Sequence, residues 1–233
     1  MGRPLRATLG GYVYHLLNRG NGRNTLFHKD GDYAAFEQIL HESLAHVPGM
    51  RLLAYCVMPN HWHLVLWPRD DGELSDFGHF LTLTHTQRWH AHYHTVGTGH
   101  LYQGRFKSFP VASDEHFLRV CRYVERNPLR AGLVHYAAAW PWGSLWRRQQ
   151  GSPALVQWLS DWPVPCPAGW ARHVNEPQHE SEVAAIRRAL QRGQPLGSLP
   201  WVQRVAQAMG LESTLRPRGR PRRCSDTGNE GQG

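Results

Sequence analysis

Residues Arg51–Trp67 read RLLAYCVMPNHWHLVLW, two apolar runs on either side of Pro59-Asn60. The runs have the length and the aromatic and β-branched content of strands, and a Pro-Asn pair between such runs predicts a turn. The stretch therefore predicts an antiparallel hairpin. Alternate side chains of a strand point to the same face, so the returning strand is expected to present His61 and His63 side by side.

The hydrophobic pattern on both sides of this hairpin predicts elements in the order β-α-β-β-α-β-α. The predicted bounds are 12–17, 30–47, 51–57, 61–67, 75–93 and 107–111, followed by a helix that begins after Ser113. Hairpins combined with helical crossovers favour an α+β fold, in which helices pack on an antiparallel sheet.

The composition changes after about residue 151, where Pro and Trp become frequent. Two short helices are predicted beyond this point, over 180–191 and 198–209. We therefore expect three parts: a main domain over 1–146, a Pro/Trp-rich linker with a small helical extension over 147–210, and a basic tail over 211–233.

The formal net charge of +8 favours a polyanionic partner, and nucleic acid is the simplest one. No apolar run approaches the roughly 20 residues of a membrane span, and the N-terminus lacks a secretory pattern. We therefore expect a cytoplasmic protein with no membrane partner. The four cysteines are far apart in sequence, which favours neither a disulfide framework nor a zinc ribbon.

A second group of polar residues lies in the helix predicted after Ser113. Tyr123 and Asn127 are four residues apart and are therefore neighbours on one helical face. They lie beside the apolar stripe of this helix rather than within it. Both are expected at the border of the core, with Asn127 in the last helical turn before Pro128.

Histidine pairs are common in a chain with 16 His, so the pair His61 and His63 needs support from its surroundings. His90 and His94, four apart on a predicted helix, are a rival pair that is also able to chelate a metal. They lie at a helix C-terminus, where the dipole favours imidazolium, and they have no evident third ligand. We therefore favour the pair on the strand.

Five segments carry a resemblance to a known family. They are Tyr14-His15 with Asn18–Asn21, Met58–His63, Gly104–Ser108, Arg122–Val134 and Trp140–Ser144. In this order they resemble the REP-associated tyrosine transposases, which are IS200-like transposases within the single-tyrosine branch of the HUH endonucleases. The segment Leu211–Pro221 is also similar to the end of longer members.

The resemblance implies a ferredoxin-like antiparallel sheet with helices on one face, in a domain that cuts single-stranded DNA near a hairpin. It implies that Tyr123 is the nucleophile, which becomes a 5′-phosphotyrosine. It also implies that His61 and His63 hold a divalent metal, with Asn127 at the position of an amide-type third ligand. These ligands are compatible with Mg²⁺ or Mn²⁺ and do not exclude Zn²⁺.

Basic residues elsewhere are candidates for DNA contacts. Arg19 and Arg23 lie in the segment after the first strand. Arg105 and Lys107 flank Phe106, an aromatic residue suited to base stacking. A charged loop or edge strand is an equally good interpretation of either pair.

The tail contains the basic run Arg216–Arg223, whose Pro and Gly residues oppose a packed element. Its centre resembles an AT-hook, so Arg218 and Arg220 are candidates for contact with the minor groove of A·T-rich duplex DNA. A solvated basic tail that adds only nonspecific affinity explains the run equally well.

Two main functions remain open at this stage, beside a third option, a zinc-stabilised module that uses His90 and His94. The first is a metal-dependent tyrosine transposase, a DNA endonuclease and strand transferase that cleaves single-stranded DNA at hairpin (REP-type) repeats. The second is a noncatalytic DNA-binding protein that recognises repeat hairpins. Either function predicts a nucleoid-associated location in the cytoplasm, and the sequence is compatible with a monomer or a homodimer.

Overall fold

The computed structural model describes residues 8–216, except for the side chains of 154 and 155. Its four strands are β1 (Val13–Arg19), β2 (Arg51–Met58), β3 (His61–Trp67) and β4 (Lys107–Val111). Their order in the sheet is β2-β3-β1-β4, and each neighbouring pair is antiparallel. With helical crossovers after the first and third strands, this is the ferredoxin-like order, so the predicted α+β fold is confirmed.

Helices of several lengths connect and extend the sheet. They are α1 (Asp30–His46), α2 (Glu73–His92), α3 (Glu115–Glu125), α4 (Asn127–Arg130), α5 (Ser144–Gln150), α6 (Pro153–Val156), α7 (Trp170–Asn175), α8 (Glu180–Arg192) and α9 (Leu199–Ala208). Within residues 8–216, none of the helices is long and apolar enough to cross a membrane.

Helices cover both faces of the sheet. On one face, Phe36 of α1 and Phe77 of α2 pack in a core with strand residues that include Trp62. On the other face, Phe117 and Val120 of α3 pack in a second core that also contains residues of α7 and α8. The expected layer of helices on one face is present as α1 and α2. The second layer exists because the alternate strand residues are also apolar and need cover.

The first strand is longer than predicted and includes Arg19. Arg19 lies opposite His61 in the antiparallel pairing of β1 with β3. It therefore belongs to the strand rather than to the following loop, and its position beside a predicted metal ligand comes from the sheet register.

The end of α2 and the start of α3 differ from the predictions. Backbone conformation determines where α2 ends, and a capping side chain determines where α3 begins. α2 ends at His92, and His94 beyond it has a positive φ of 52°. The rival pair His90 and His94 therefore does not share a helical face. α3 is capped by Asp114 rather than Ser113, since the Asp114 carboxylate accepts a 2.8 Å hydrogen bond from the backbone N–H of His116.

The chain remains helical around Asn127, which the sequence placed in a last helical turn. α3 ends at Glu125, and Asn127 begins α4 with Pro128 in its first turn, where proline removes no intrahelical donor. Tyr123 and Asn127 are 5% and 3% exposed. The prediction that they border the core without being buried is wrong, because Tyr123 packs within the second core and Asn127 follows it in the next helix.

Buried polar contacts join the extension to the sheet domain. Glu125 of α3 accepts hydrogen bonds from Ser144 Oγ and Trp170 Nε1, both at 2.6 Å. Burial raises the pKa of this Glu125 carboxyl. The domain boundary predicted after residue 146 falls within α5, whose first residue makes one of these contacts.

A buried histidine on α2 makes stability depend on pH. His85 Nδ1 lies 2.6 Å from Tyr102 Oη, which accepts a hydrogen bond from Trp62 Nε1, and burial lowers the pKa of His85 to about 3. In the unfolded chain this imidazole takes up a proton near pH 6.5, whereas the folded protein keeps it neutral. The free energy of unfolding should therefore fall as the pH falls through this window.

The replacement His85→Phe is expected to reduce this pH dependence. The slope of unfolding free energy against pH should decrease by about 1.4 kcal/mol per pH unit between about pH 5.5 and pH 4. Urea unfolding at a series of pH values measures both slopes. Equal slopes for the two proteins would mean that folded His85 is protonated in this range.

Candidate active site

A cleft of about 330 Å³ lies at one edge of the second core, where ends of β1, β3 and β4 meet α3, α4 and α8. Six residues that the sequence singled out line it: Arg19, His61, His63, Lys107, Tyr123 and Asn127. These residues come from five elements, so the tertiary fold brings them together.

The histidine pair faces the tyrosine across this cleft. The rings of His61 and His63 have centroids 5.0 Å apart and planes at 82°, while Trp62 between them points into the opposite core. The Tyr123 ring lies edge-on to His63, with centroids 5.8 Å apart. A strand and a helix about sixty residues apart in sequence thus form one polar cluster.

A further histidine, His15 on β1, contacts the His63 ring through a ring nitrogen and by stacking. His15 Nε2 lies 2.9 Å from His63 Nδ1, and the two rings stack with centroids 5.0 Å apart. His15 is fully buried, and its Nδ1 has no hydrogen-bond partner among the described residues. Outer contacts of this kind orient metal-ligating imidazoles. In the sequence, His15 stands inside an apolar strand and within the first of the segments that carry the family resemblance.

The histidines of the cleft are neutral. Burial lowers the pKa of His61 to about 3, and the nearby cations of Arg19 and Arg130 act in the same direction. Burial, above all, also lowers the pKa of His63 well below its ordinary value. His61 Nδ1 lies 2.6 Å from Asn60 Oδ1, an acceptor, so Nδ1 carries the proton and Nε2 keeps its lone pair.

Arg130 links Asn127 to Tyr123. Its guanidinium carbon lies 4.3 Å from the centroid of the Tyr123 ring, a cation–π contact, and its Nη2 donates a 2.6 Å hydrogen bond to Asn127 Oδ1. Arg130 thus holds a fixed positive charge beside the tyrosine. Its spacing, three residues after Asn127 and seven after Tyr123, is the helical signal that the sequence offered.

The donor set of the histidines fits a divalent cation that accepts imidazole ligands. His63 has the required tautomer when its Nδ1–H donates to His15 Nε2, which leaves its own Nε2 free. Asn127 fits less directly, because its Oδ1 already accepts from Arg130 and its Nδ2 is buried without a partner within residues 8–216. His61 and His63 are therefore the ligands best placed for a metal.

The other candidate DNA contacts differ in position. Arg23 and Arg105 are exposed and lie outside the lining of the cleft. Phe106 is buried in the core with residues of α2, so its ring is not available for base stacking, contrary to the prediction. The AT-hook residues Arg218 and Arg220 lie outside the described residues.

A different cluster of potential metal ligands occurs at the start of α3. Suitable atoms of Asp114, Glu115 and His116 lie within 4.8 Å of one another. Asp114 Oδ1 accepts from the backbone N–H of His116 and lies 2.8 Å from its Nδ1. These contacts are those of a helix cap, and the cluster lies apart from the residues that line the cleft.

The extension supplies residues to the cleft that the sequence did not single out. Arg187, Leu190 and Gln191 of α8 line it together with the predicted residues. Arg187 and Gln191 are four apart on a helix that was predicted, so their shared face was visible in the sequence. Nothing in the sequence related that face to residues more than sixty positions earlier.

The ferredoxin-like sheet thus presents a histidine pair to a helical tyrosine within one cleft. The sequence model of the family "Transposase IS200 like" matches residues 8–127, more than half of the chain. The chain belongs to this family and is thus a transposase-type enzyme that acts on DNA.

Solved structures were compared as well. A REP-associated tyrosine transposase bound to a REP hairpin has a TM-score of 0.52 and 18% identity, over 69% of this chain and 93% of that chain. At this identity the likeness shows the fold. A candidate transposase from Deinococcus radiodurans R1 has a TM-score of 0.37 and 21% identity, over 54% of this chain and 95% of that chain. None of the curated proteins compared with the chain matches it.

The replacement His15→Phe is expected to weaken binding of Mn²⁺ by about 10- to 100-fold, because it removes the group that orients His63. Isothermal titration calorimetry with Mn²⁺ alone measures the affinity. His90→Gln, from the rival pair, is the control and should bind Mn²⁺ like the wild type. Unchanged affinity in His15→Phe would contradict the orienting role.

Proposed function

We propose that the protein is a metal-dependent tyrosine transposase that binds, cleaves and rejoins single-stranded DNA at hairpin repeats of the REP type. The observation that carries the proposal is the position of Tyr123, edge-on to His63 in a cleft that cationic side chains line. A phosphodiester fits such a cleft, because its negative charge is stabilised there and a hydroxyl nucleophile is present.

Tyr123 acts in this proposal as the nucleophile. A phenol is a weak nucleophile near neutral pH, so attack requires stabilisation of the negative charge that develops. The guanidinium of Arg130, 4.3 Å from the ring centroid, supplies part of it. The phenolic oxygen bonds to phosphorus as the bond from phosphorus to the 3′ oxygen breaks. The phenolic proton passes to solvent, and the 3′ oxygen takes up a proton.

The products are a 5′-phosphotyrosine and a free 3′-hydroxyl. Because the covalent bond conserves the energy of the phosphodiester, attack by a 3′-hydroxyl reverses the step and rejoins DNA. Cleavage and strand transfer therefore need the same residues, and a single cleft serves both.

The proposed cofactor is Mg²⁺ or Mn²⁺, held by His61 and His63. Such a cation, when bound, polarises a non-bridging phosphate oxygen and stabilises charge at phosphorus. His15 and Asn60 keep the two imidazoles oriented through their Nδ1 atoms. Asn127 is the proposed third ligand, and this role requires that its Oδ1 give up the hydrogen bond from Arg130.

The proposed substrate is a DNA hairpin with an unpaired flank. The net charge of +8 supports a nucleic-acid partner, and the similar transposase of known structure was solved with a REP hairpin. All the residues proposed for catalysis belong to one cleft of one chain, so a monomer suffices, and a homodimer of such chains is also compatible. With chromosomal repeats as the substrate, the protein acts at the nucleoid in the cytoplasm.

A labelled hairpin oligonucleotide incubated with the protein and Mg²⁺ or Mn²⁺ should yield a covalent adduct on a denaturing gel. Tyr123→Phe is expected to reduce the adduct by roughly a thousandfold or more, since it removes the attacking oxygen. Tyr136→Phe is the matched control, because it removes the hydroxyl of a tyrosine that is 68% exposed. An adduct that persists in Tyr123→Phe would exclude this nucleophile.

His61→Gln and His63→Gln are expected to abolish the metal-dependent adduct while hairpin binding is retained, because DNA binding depends mainly on the basic residues. A gel-shift assay and the adduct assay on the same samples separate the two effects. Hairpin binding without any adduct in the wild-type protein would instead identify a noncatalytic hairpin-binding protein.

A further inference from the structure

α8 has a defined position beside the cleft because it is part of the second core. Val183 and Ile186 are buried in the same cluster as residues of α3 and β4. The chain after α8 then pairs with the end of β4. Leu196 N–H donates to the Pro110 carbonyl, and Ala112 N–H donates to the Leu196 carbonyl, both at 2.9 Å.

Polar contacts fix the start of α8 against α3. Arg119 Nε lies 3.3 Å from a carboxylate oxygen of Glu182. In the segment before α8, the carbonyl oxygen of Glu176 accepts a 2.9 Å hydrogen bond from Arg122 Nη2. The helix is thus held along its length, and its side chains have set directions relative to Tyr123.

The helical phase separates two neighbouring arginines. Successive residues of an α-helix are about 100° apart around its axis. Arg187 lies next to the buried Ile186 and lines the cleft together with Gln191, one turn later. Arg188 is a further 100° away and is not among the lining residues, although both arginines are exposed.

The charges around the cleft have one sign. Cations from four elements line it, namely Arg19, Lys107, Arg130 and Arg187, and no described lining residue is an Asp or Glu. Arg130 is engaged by Asn127. Arg187 makes no hydrogen bond or ion pair within residues 8–216, so its exposed guanidinium is available to an anion.

From these observations we propose that α8 is part of the DNA-binding site and that Arg187 binds a backbone phosphate of the single strand beside the scissile bond. Gln191 contacts the same nucleotide through its amide. The inference rests on the proposed function and extends it, because α8 lies outside residues 8–127 that the family model matches. It assigns the extension a direct role in binding the substrate.

The test is the salt dependence of DNA binding by full-length protein carrying Tyr123→Phe, so that no cleavage interferes. The probe is a fluorescein-labelled oligonucleotide that forms a hairpin with an unpaired flank. Adding Arg187→Gln should weaken binding roughly 10- to 100-fold, the loss of one charge-assisted hydrogen bond. It should also reduce the slope of log affinity against log salt by about 0.7, the contribution of one phosphate on a single strand.

Arg188→Gln is the matched control, with the same loss of charge on the same helix, and should leave the slope unchanged. Arg187→Lys should retain the slope, and thermal unfolding by circular dichroism checks that each variant is folded. Equal slopes for Arg187→Gln and Arg188→Gln would overturn the role of α8.

The test also separates this inference from the proposed catalysis. If the wild type forms no adduct and the slopes still differ between the two arginine variants, only the catalytic proposal fails. If the Tyr123→Phe parent does not bind the probe, both proposals fail.

Discussion

The side chains of β3 point alternately to the two faces of the sheet, and each face is covered by a buried layer. The other features of the structure depend on this alternation. β3 lies between β2 and β1, so both of its edges are hydrogen-bonded. Trp62 and Leu64 fill the core beneath α1 and α2, while His61 and His63 face the cleft. A slip of one residue would exchange these sets and place the imidazoles in the apolar core. Packing of Trp62 therefore determines where the histidines point.

Burial determines the chemical state of these histidines as well as their direction. An imidazolium is costly to desolvate, so the buried rings stay neutral and keep lone pairs available. The contact between His15 and His63 and that between Asn60 and His61 then determine which nitrogen remains free. The residues around His61 and His63 thus keep a nitrogen of each ring free to bind a cation. Arg130 places a positive charge next to the Tyr123 ring.

The extension adds side chains to the cleft that the sheet domain alone does not supply. The amphipathic pattern around α3 alone predicts that Tyr123 and Asn127 border on solvent. In the folded protein both side chains are buried, and α8 adds a cationic and an amide group to the cleft. Electrostatic interactions are stronger where water is excluded, so the same layer that completes the core favours the proposed chemistry.

Local patterns were sufficient for much of the fold. The strand over 107–111 and the turn at Pro59-Asn60 were predicted where they occur, and the order of elements was predicted as well. Strand alternation and helical spacing involve neighbouring residues, so they can be read along one segment. The same local rule put His61 and His63 on one face, and the motifs around them indicated the family.

The remaining features depend on contacts between distant segments. The end of α2, the cap of α3 and the place of Arg19 depend on capping groups and strand pairing that periodicity does not specify. Likewise, His15 and Arg187 reach the site from β1 and α8, and no spacing in the sequence relates them to Tyr123. The sequence by itself therefore determined which side chains each segment presents. The packing of two apolar layers on one sheet determined which of these side chains meet, because such packing depends on complementary surfaces rather than on sequence distance.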